Sequence, residues 1–412
     1  MFRKRFVRRL AVAFLLIAVL LVVVMTAAAA TTDRFYLSRV IAWREADFHD
    51  FERFPSRPVP AGPEQFSFKP APEKPPEYLR TVTYRRDAPD PTPRESMATP
   101  LGSVGGKEVT EPLESFLANT DTTAFLVVQD DALLYEGYFN GYDRQSTQTS
   151  FSTAKSFVSA LVGIAIEEGH IESVDDPITK YIPELKGPRM DKVTIRYLLT
   201  MSSGLKYSGE GGGGGPFSDD AKTYYDPNLR ALALTVEPEV EPETRWEYNN
   251  YHPLLLGMIL ERATDRPVAT YLSQKIWQPL GMEADGSWSL DSKEDGFEKM
   301  ESGLNGRAID FAKFGRLYLN RGEWNGTQVV PASWVEESTR VDTTTDPADF
   351  YQYLWWVDVA HPERGRFVAR GNYGQFIYVV PDKDLVIVRF GEDWGYNRWP
   401  ELLRSIGDKA PS

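Results

Sequence analysis

Residues 152–168 constrain the fold most tightly. Phe157, Val158, Leu161, Val162, Ile164, Ala165 and Ile166 put apolar side chains around most of one helix circumference. A helix apolar nearly all round has no solvent face and belongs inside the core. Gly169 then stops it. At its start stands Ser152-Thr153-Ala154-Lys155. Residues three apart on a helix share a face, so Ser152 Oγ and Lys155 Nζ can meet. A serine hydroxyl is a weak nucleophile at neutral pH, and a lysine amine can activate it where burial favours the neutral amine. The helix N-terminus also favours negative charge, which suits a developing oxyanion. The plainer reading of Ser152 is an N-cap, and spacing alone does not separate the two. Ser203-Gly204-Leu205-Lys206 repeats the spacing, but in a glycine-containing turn that holds no hydroxyl against an amine.

The runs on either side of this helix set the architecture. Thr123 to Gln129 and Leu133 to Phe139 are apolar and β-prone, split by Asp130-Asp131, which predicts a hairpin. Tyr351 to Val357, Arg366 to Arg370, Gln375 to Val380 and Leu385 to Gly391 read as strands, and Trp399 to Ile406 as a closing helix. Between them lie helices at 194–200, 254–263, 269–277 and 309–320. The expectation is an α/β (α+β) fold. One antiparallel sheet is built from both chain ends (about 101–150 and 270–407) and flanked by helices, with a mainly helical insertion at about 170–265. Glu210 precedes the glycine run Gly211 to Gly215, which reads as a mobile loop over the active-site mouth; no Gly-Lys-Ser/Thr follows, so it is not a phosphate loop.

Ahead of this body, residues 1–31 form an export segment. Arg3, Lys4, Arg5, Arg8 and Arg9 precede an uncharged, mostly apolar run from Leu10 to Ala30. The run is long enough to span a bilayer with its basic flank in the cytoplasm. Ala27 to Ala30 also suits signal-peptidase cleavage, but the length favours a retained single-pass anchor with an extracytoplasmic body. Residues 32–100 are rich in proline and read as a linker, either a spacer or an arm packed over a body at 101–407.

The formal net charge is −13, and no basic stripe with interleaved aromatics occurs, which argues against nucleic acid. The chain has no cysteine, so disulfides and thiolate chemistry are excluded. His49, His170, His252 and His361 are scattered without metal-ligand spacing, and no metal or cofactor is expected. Two further stretches can join Ser152 and Lys155. Tyr248-Asn249-Asn250 supplies a phenol that can relay protons beside an ammonium. Gly371-Asn372-Tyr373-Gly374-Gln375 opens a strand whose glycines let a carbonyl approach backbone N–H groups, with those of Ser152 and Gln375 as oxyanion donors. Each stretch alone is equally an aromatic packing site or an ordinary turn.

As an ordered set, Ser-x-x-Lys, Tyr-x-Asn and a Gly-bounded C-terminal strand resemble the class C β-lactamase-like serine hydrolases. The likeness is greatest to the branch with 6-aminohexanoate-oligomer hydrolases and related esterases. Leu198 to Leu205, Gly303-Leu304-Asn305, Asp310 to Leu319, Trp324-Asn325-Gly326 and Val330 to Trp334 extend it over about residues 100–405. The resemblance implies an acyl-enzyme at Ser152, Lys155 and Tyr248 as the acid/base pair, and Asn250 orienting Lys155 and substrate. Where β-lactamases carry Lys-Thr-Gly, this chain is aligned as Asn372, Tyr373 and Gly374, without the cation. Arg370 and Arg389 are the possible substitutes. The departure favours a small amide or ester substrate over a β-lactam. β-Lactamase or D-amino-acid peptidase-like activity is the alternative, and a non-catalytic, membrane-tethered binding protein is a third reading. Tyr224, Tyr225, Trp355, Trp356, Trp394 and Trp399 are candidates for an apolar acyl pocket, although most suit the core.

Overall fold

The structure, a computed structural model, describes residues 2–209, 215–341 and 348–411. Most of the glycine run lies outside them. The centre is a seven-stranded sheet: β1 (Thr122–Gln129), β2 (Ala132–Tyr138), β3 (Tyr351–Gln352), β4 (Trp355–Val357), β5 (Phe367–Gly371), β6 (Gln375–Val380) and β7 (Leu385–Gly391). Its order is β3-β4-β5-β6-β7-β1-β2, and every neighbouring pair is antiparallel. The sheet therefore joins both chain ends, as expected. All residues of β1, β6 and β7 are buried. Both faces are covered, which is why these strands read as continuous apolar runs rather than alternating ones.

Seven helices position the site: α1 (Phe2–Ala30), α2 (Tyr36–Trp43), α3 (Ala154–Glu167), α4 (Asp219–Tyr225), α5 (Tyr251–Thr264), α6 (Ala308–Leu319) and α7 (Trp399–Lys409). Helix α6 lies directly on the sheet. A Cβ at Gly315 would come within 2.5 Å of Val386 Cγ1, so only glycine allows this approach. Phe157 of α3 stacks on Phe314 of α6 with ring centroids 3.6 Å apart, and Phe311 meets Phe390 of β7. Burying each such ring contributes about 1.5–3 kcal/mol. On the other face Trp399 of α7 packs against Phe376 of β6.

Two local expectations change. The run 351–357 is two strands, because Tyr353 and Leu354 turn the chain with φ of 37° and 64°. Neither is a turn residue by type. Tertiary contacts hold the turn: Leu354 N donates to Leu199 O at 2.9 Å, and Ser156 Oγ donates to Leu354 O at 2.9 Å. The boundary expected at residue 100 also falls inside a hairpin, because Thr81–Arg86 pairs with Lys107–Pro112.

Residues 32–100 are not a free spacer; they pack along the body. Ser56–Val59 is an edge strand of a second sheet with Gly286–Ser289, Leu304–Gly306 and Gln148–Thr149. Pro58 is tolerated there because an edge leaves one side of the ladder unpaired. Arg39 of α2 is fully buried and donates to the carbonyls of Thr32, Tyr225 and Asp291. Helix α1 holds one segment, Val12–Ala30, apolar and long enough to cross a membrane, and only 6% of it is buried. It is therefore not a core helix of this fold.

Candidate active site

The chain reaches Ser152 through a fixed approach. Ser150 N donates to Leu304 O at 2.9 Å, next to the pairing of Gln148–Thr149 with Leu304–Gly306. Phe151 then takes φ 44°, a left-handed conformation that a bulky residue adopts only when its surroundings enforce it. Its ring is buried edge-on to Tyr373 at 5.2 Å. One 3₁₀ turn, Phe151–Thr153, leads into α3. Between Gln148 and Ala165, Ser152 is the single residue that is not buried.

Ser152 is not an N-cap. Its Oγ accepts a hydrogen bond from Lys155 Nζ at 2.7 Å. Lys155 is 1% exposed, so its amine is held inside the protein with its reach ending on the serine. The same nitrogen donates to Glu301 O at 2.8 Å and lies 4.9 Å above the Tyr248 ring centroid. Tyr248 is half-buried, stacked on Trp356 at 5.8 Å and edge-on to Tyr351 at 6.1 Å. Its hydroxyl carries no hydrogen bond among the described residues, whereas its ring position is fixed by the aromatic stack. The structure thus brings Ser152, Lys155 and Tyr248 together. The second Ser-x-x-Lys does not assemble: Ser203 is buried against His252 (Oγ to Nε2 2.6 Å), and Lys206 is exposed.

Asn250 sits elsewhere than the resemblance implies. Its Nδ2 donates to Tyr207 OH at 3.0 Å and to Asp220 Oδ1 at 3.3 Å, not to any atom of Lys155. The Glu301 carbonyl orients Lys155 instead. Asn250 Oδ1 is buried without a partner among the described residues.

The C-terminal motif is shifted as well. Gln375 starts β6, an interior strand, and its side chain ties the hairpin to β7: Nε2 donates to Asn372 O at 3.1 Å and Gly391 O at 2.7 Å. Gly374, at φ 77°, gives its carbonyl to Arg389. Neither forms a hydrogen bond to Ser152 among the described residues. The element beside Ser152 is the end of β5, where a Cβ on Gly371 would lie 3.1 Å from Ser152 N. Asp358 N donates to Arg366 O at 2.9 Å, so even-numbered residues of β5 direct their backbone groups toward β4. The pairing ends at Trp356 and Val368. Gly371 is still extended (φ −126°, ψ 161°), so the alternation carries to Asn372, whose N–H points off the unpaired edge. Asn372 itself is exposed.

Both candidate arginines are engaged within the fold. Arg389 is fully buried and spends its donors on the carbonyls of Thr120, Tyr373, Gly374 and Asp393. Burial pushes its pKa down to about 9. Arg370 is wedged between Trp356 and Trp394 and donates to Ser96 Oγ at 3.2 Å. Of the six aromatics considered for an acyl pocket, Tyr225, Trp355, Trp356 and Trp399 are core, and Tyr224 and Trp394 keep part of their surface in solvent.

Sequence reasoning missed Lys299 and Glu301. Lys299 Nζ pairs with Glu301 Oε1 at 2.9 Å, both side chains being almost fully buried. Burial lowers the Lys299 pKa, and Glu301 opposes that shift. The ammonium also lies over Tyr224 at 4.2 Å and Phe54 at 4.5 Å. Their position just before Gly303-Leu304-Asn305 was the only signal in the sequence.

The chain belongs to the Beta-lactamase family, whose model matches residues 109–401. The fold and the hydrolase class follow from that membership. Among curated relatives it is 28% identical over 320 residues to the 6-aminohexanoate-dimer hydrolase of Paenarthrobacter ureafaciens, covering 70% of this chain and 76% of that one. It is 34% identical over 153 residues to esterase EstB of Burkholderia gladioli, covering 34% and 38%. A solved structure, "Putative 6-aminohexanoate-dimer hydrolase from Bacillus anthracis", superposes with a TM-score of 0.73 at 26% identity, covering 93% of this chain and 97% of that one.

Proposed function

We propose that the protein is a serine hydrolase that cleaves small amides or esters through an acyl-enzyme on Ser152. The observation that carries this is the 2.7 Å contact between Lys155 Nζ and Ser152 Oγ, at the one position of a buried segment that meets solvent. Lys155 takes the hydroxyl proton as Oγ attacks the carbonyl carbon. The N–H groups of Ser152 and Asn372 receive the oxyanion; one such donor is worth about 10²–10³ in rate. Tyr248 hands the proton to the leaving nitrogen or oxygen as its bond to carbon breaks. Water then gives a proton to the same pair as its oxygen attacks the acyl carbon; the C–Oγ bond breaks, the pair returns that proton to Ser152 Oγ, and the carboxylic acid leaves.

An amide or ester substrate is supported by the names of the two relatives above and by Asn372, Tyr373 and Gly374 standing where a Lys-Thr-Gly would supply a cation. The test is twofold. A fluorophosphonate should add one label at Ser152 by intact mass; a folded protein that stays unlabelled refutes the enzyme reading. Turnover should then favour short linear amides or p-nitrophenyl esters over nitrocefin, and fast nitrocefin hydrolysis refutes the substrate preference.

A further inference from the structure

Helix α2 is built inside out. Its polar residues Ser38 and Arg39 are buried, whereas Leu37 and Ile41 are 50% and 39% exposed. Leu37 and Ile41 are four apart and share one face. Phe35, just before the helix, is 58% exposed, and Phe217 is 70% exposed. Among the described residues these four are the only large apolar side chains exposed outside α1. The loop that carries Phe217 lies against α2, because Tyr36 OH donates to Pro216 O. They also begin five residues after α1 ends at Ala30. The junction is tight: Ala28 is buried, and Thr31 Oγ1 lies 2.7 Å from Ser38 Oγ.

A clustered apolar patch on an otherwise polar body marks a surface that is covered in use. Its continuity with the membrane-length segment Val12–Ala30 indicates what covers it. We propose that the catalytic body docks on the bilayer interface through Phe35, Leu37, Ile41 and Phe217, independently of the spanning helix. Aromatic and aliphatic side chains at headgroup depth stabilise such docking, and exposed cations beside them meet anionic headgroups. Arg34 and Arg44, on either side of α2, are both exposed. The inversion of α2 then has a physical cause. Its inner face meets the carbonyls of the body, which suit Arg39, and its outer face meets lipid.

The chain lacks cysteine, so single-cysteine labelling is clean. The full-length protein carrying Phe217→Cys, Leu37→Cys or, as reference, Lys186→Cys at an exposed site is labelled with the fluorophore NBD. Each is placed in nanodiscs of mixed phosphatidylcholine and phosphatidylglycerol. Labels at 217 and 37 should shift their emission to the blue and lose intensity about two-fold or more when the acyl chains are brominated, as expected for interfacial burial. The label at 186 should do neither. Labels at 217 and 37 that match the reference, on protein that melts like the unlabelled chain, overturn the proposal.

Discussion

Gly371 and Ser150 meet backbone against side-chain space: a Cβ added to Gly371 would lie 2.4 Å from Ser150 O. The glycine is in extended conformation, so room and not backbone freedom requires it. Gly371→Ala therefore pushes β5 away from the serine turn. Expected are a loss of about 1–3 kcal/mol in stability and a fall of about 10²-fold in kcat/KM on the best ester. Wild-type turnover in this variant would show that β5 does not form the site wall.

Lys155→Met keeps the volume of a buried chain and removes the amine. Lys155 forms no ion pair among the described residues, so its removal strands no buried charge and the melting temperature should change little. Acylation by a fluorophosphonate should slow by about 10³-fold or more. Near-normal labelling would remove Lys155 from the acylation step.

Tyr248→Phe leaves the stack on Trp356 in place and deletes only the hydroxyl. The expected result is a drop of about 10²–10³-fold in kcat with little change in melting. Amides should suffer more than p-nitrophenyl esters, whose leaving group needs no proton. An equal loss on both would argue against proton delivery by Tyr248.

His252 gives a pH dependence of stability with a definite sign. Burial holds its pKa down to about 3, against 6.5 for the free side chain. Between those values the unfolded chain binds the proton and the folded one does not. The contribution is therefore complete above pH 6.5 and shrinks as pH falls toward 3, by on the order of 5 kcal/mol in total. Urea melts of wild type and His252→Gln from pH 7 to 4 should converge as pH drops. A constant gap between them would contradict the assignment.

Lys299 and Glu301 are predicted to act as a unit. Lys299→Met strands the Glu301 carboxylate and should cost about 3–5 kcal/mol. The double variant Lys299→Met/Glu301→Leu should recover most of it. Additive losses in urea denaturation would show that the two do not compensate each other.

The buried helix after Ser152, the sheet from both ends and the proximity of Ser152, Lys155 and Tyr248 were legible because each rests on motif spacing or a continuous apolar run. What was not legible depends on contacts between distant segments. Asn250 carries no mark that its amide turns to Tyr207 and Asp220 rather than to Lys155. Gly371 and Gln375 both adjoin a turn, and only the register of β5 against β4 says which strand end faces the serine. The turn at Tyr353 and Leu354 uses residues that favour strands, so local propensity points the wrong way. The proline-rich stretch hid an edge strand and half of a hairpin, because strands that use one side of the ladder tolerate proline.

Tyr373, in the turn after β5, donates its hydroxyl to Ala46 O. Its ring also packs on Phe151, the residue before Ser152. The turn at Ser152 is thus linked, through Tyr373, to chain that lies upstream of the family-matched region, between α2 and Ser56. A cut within residues 44–54 is therefore expected to loosen Tyr373 and, through it, the turn at Ser152. Fluorophosphonate labelling of Ser152 should fall in the clipped protein, so this stretch works as a strap on the body and not as a spare length of chain.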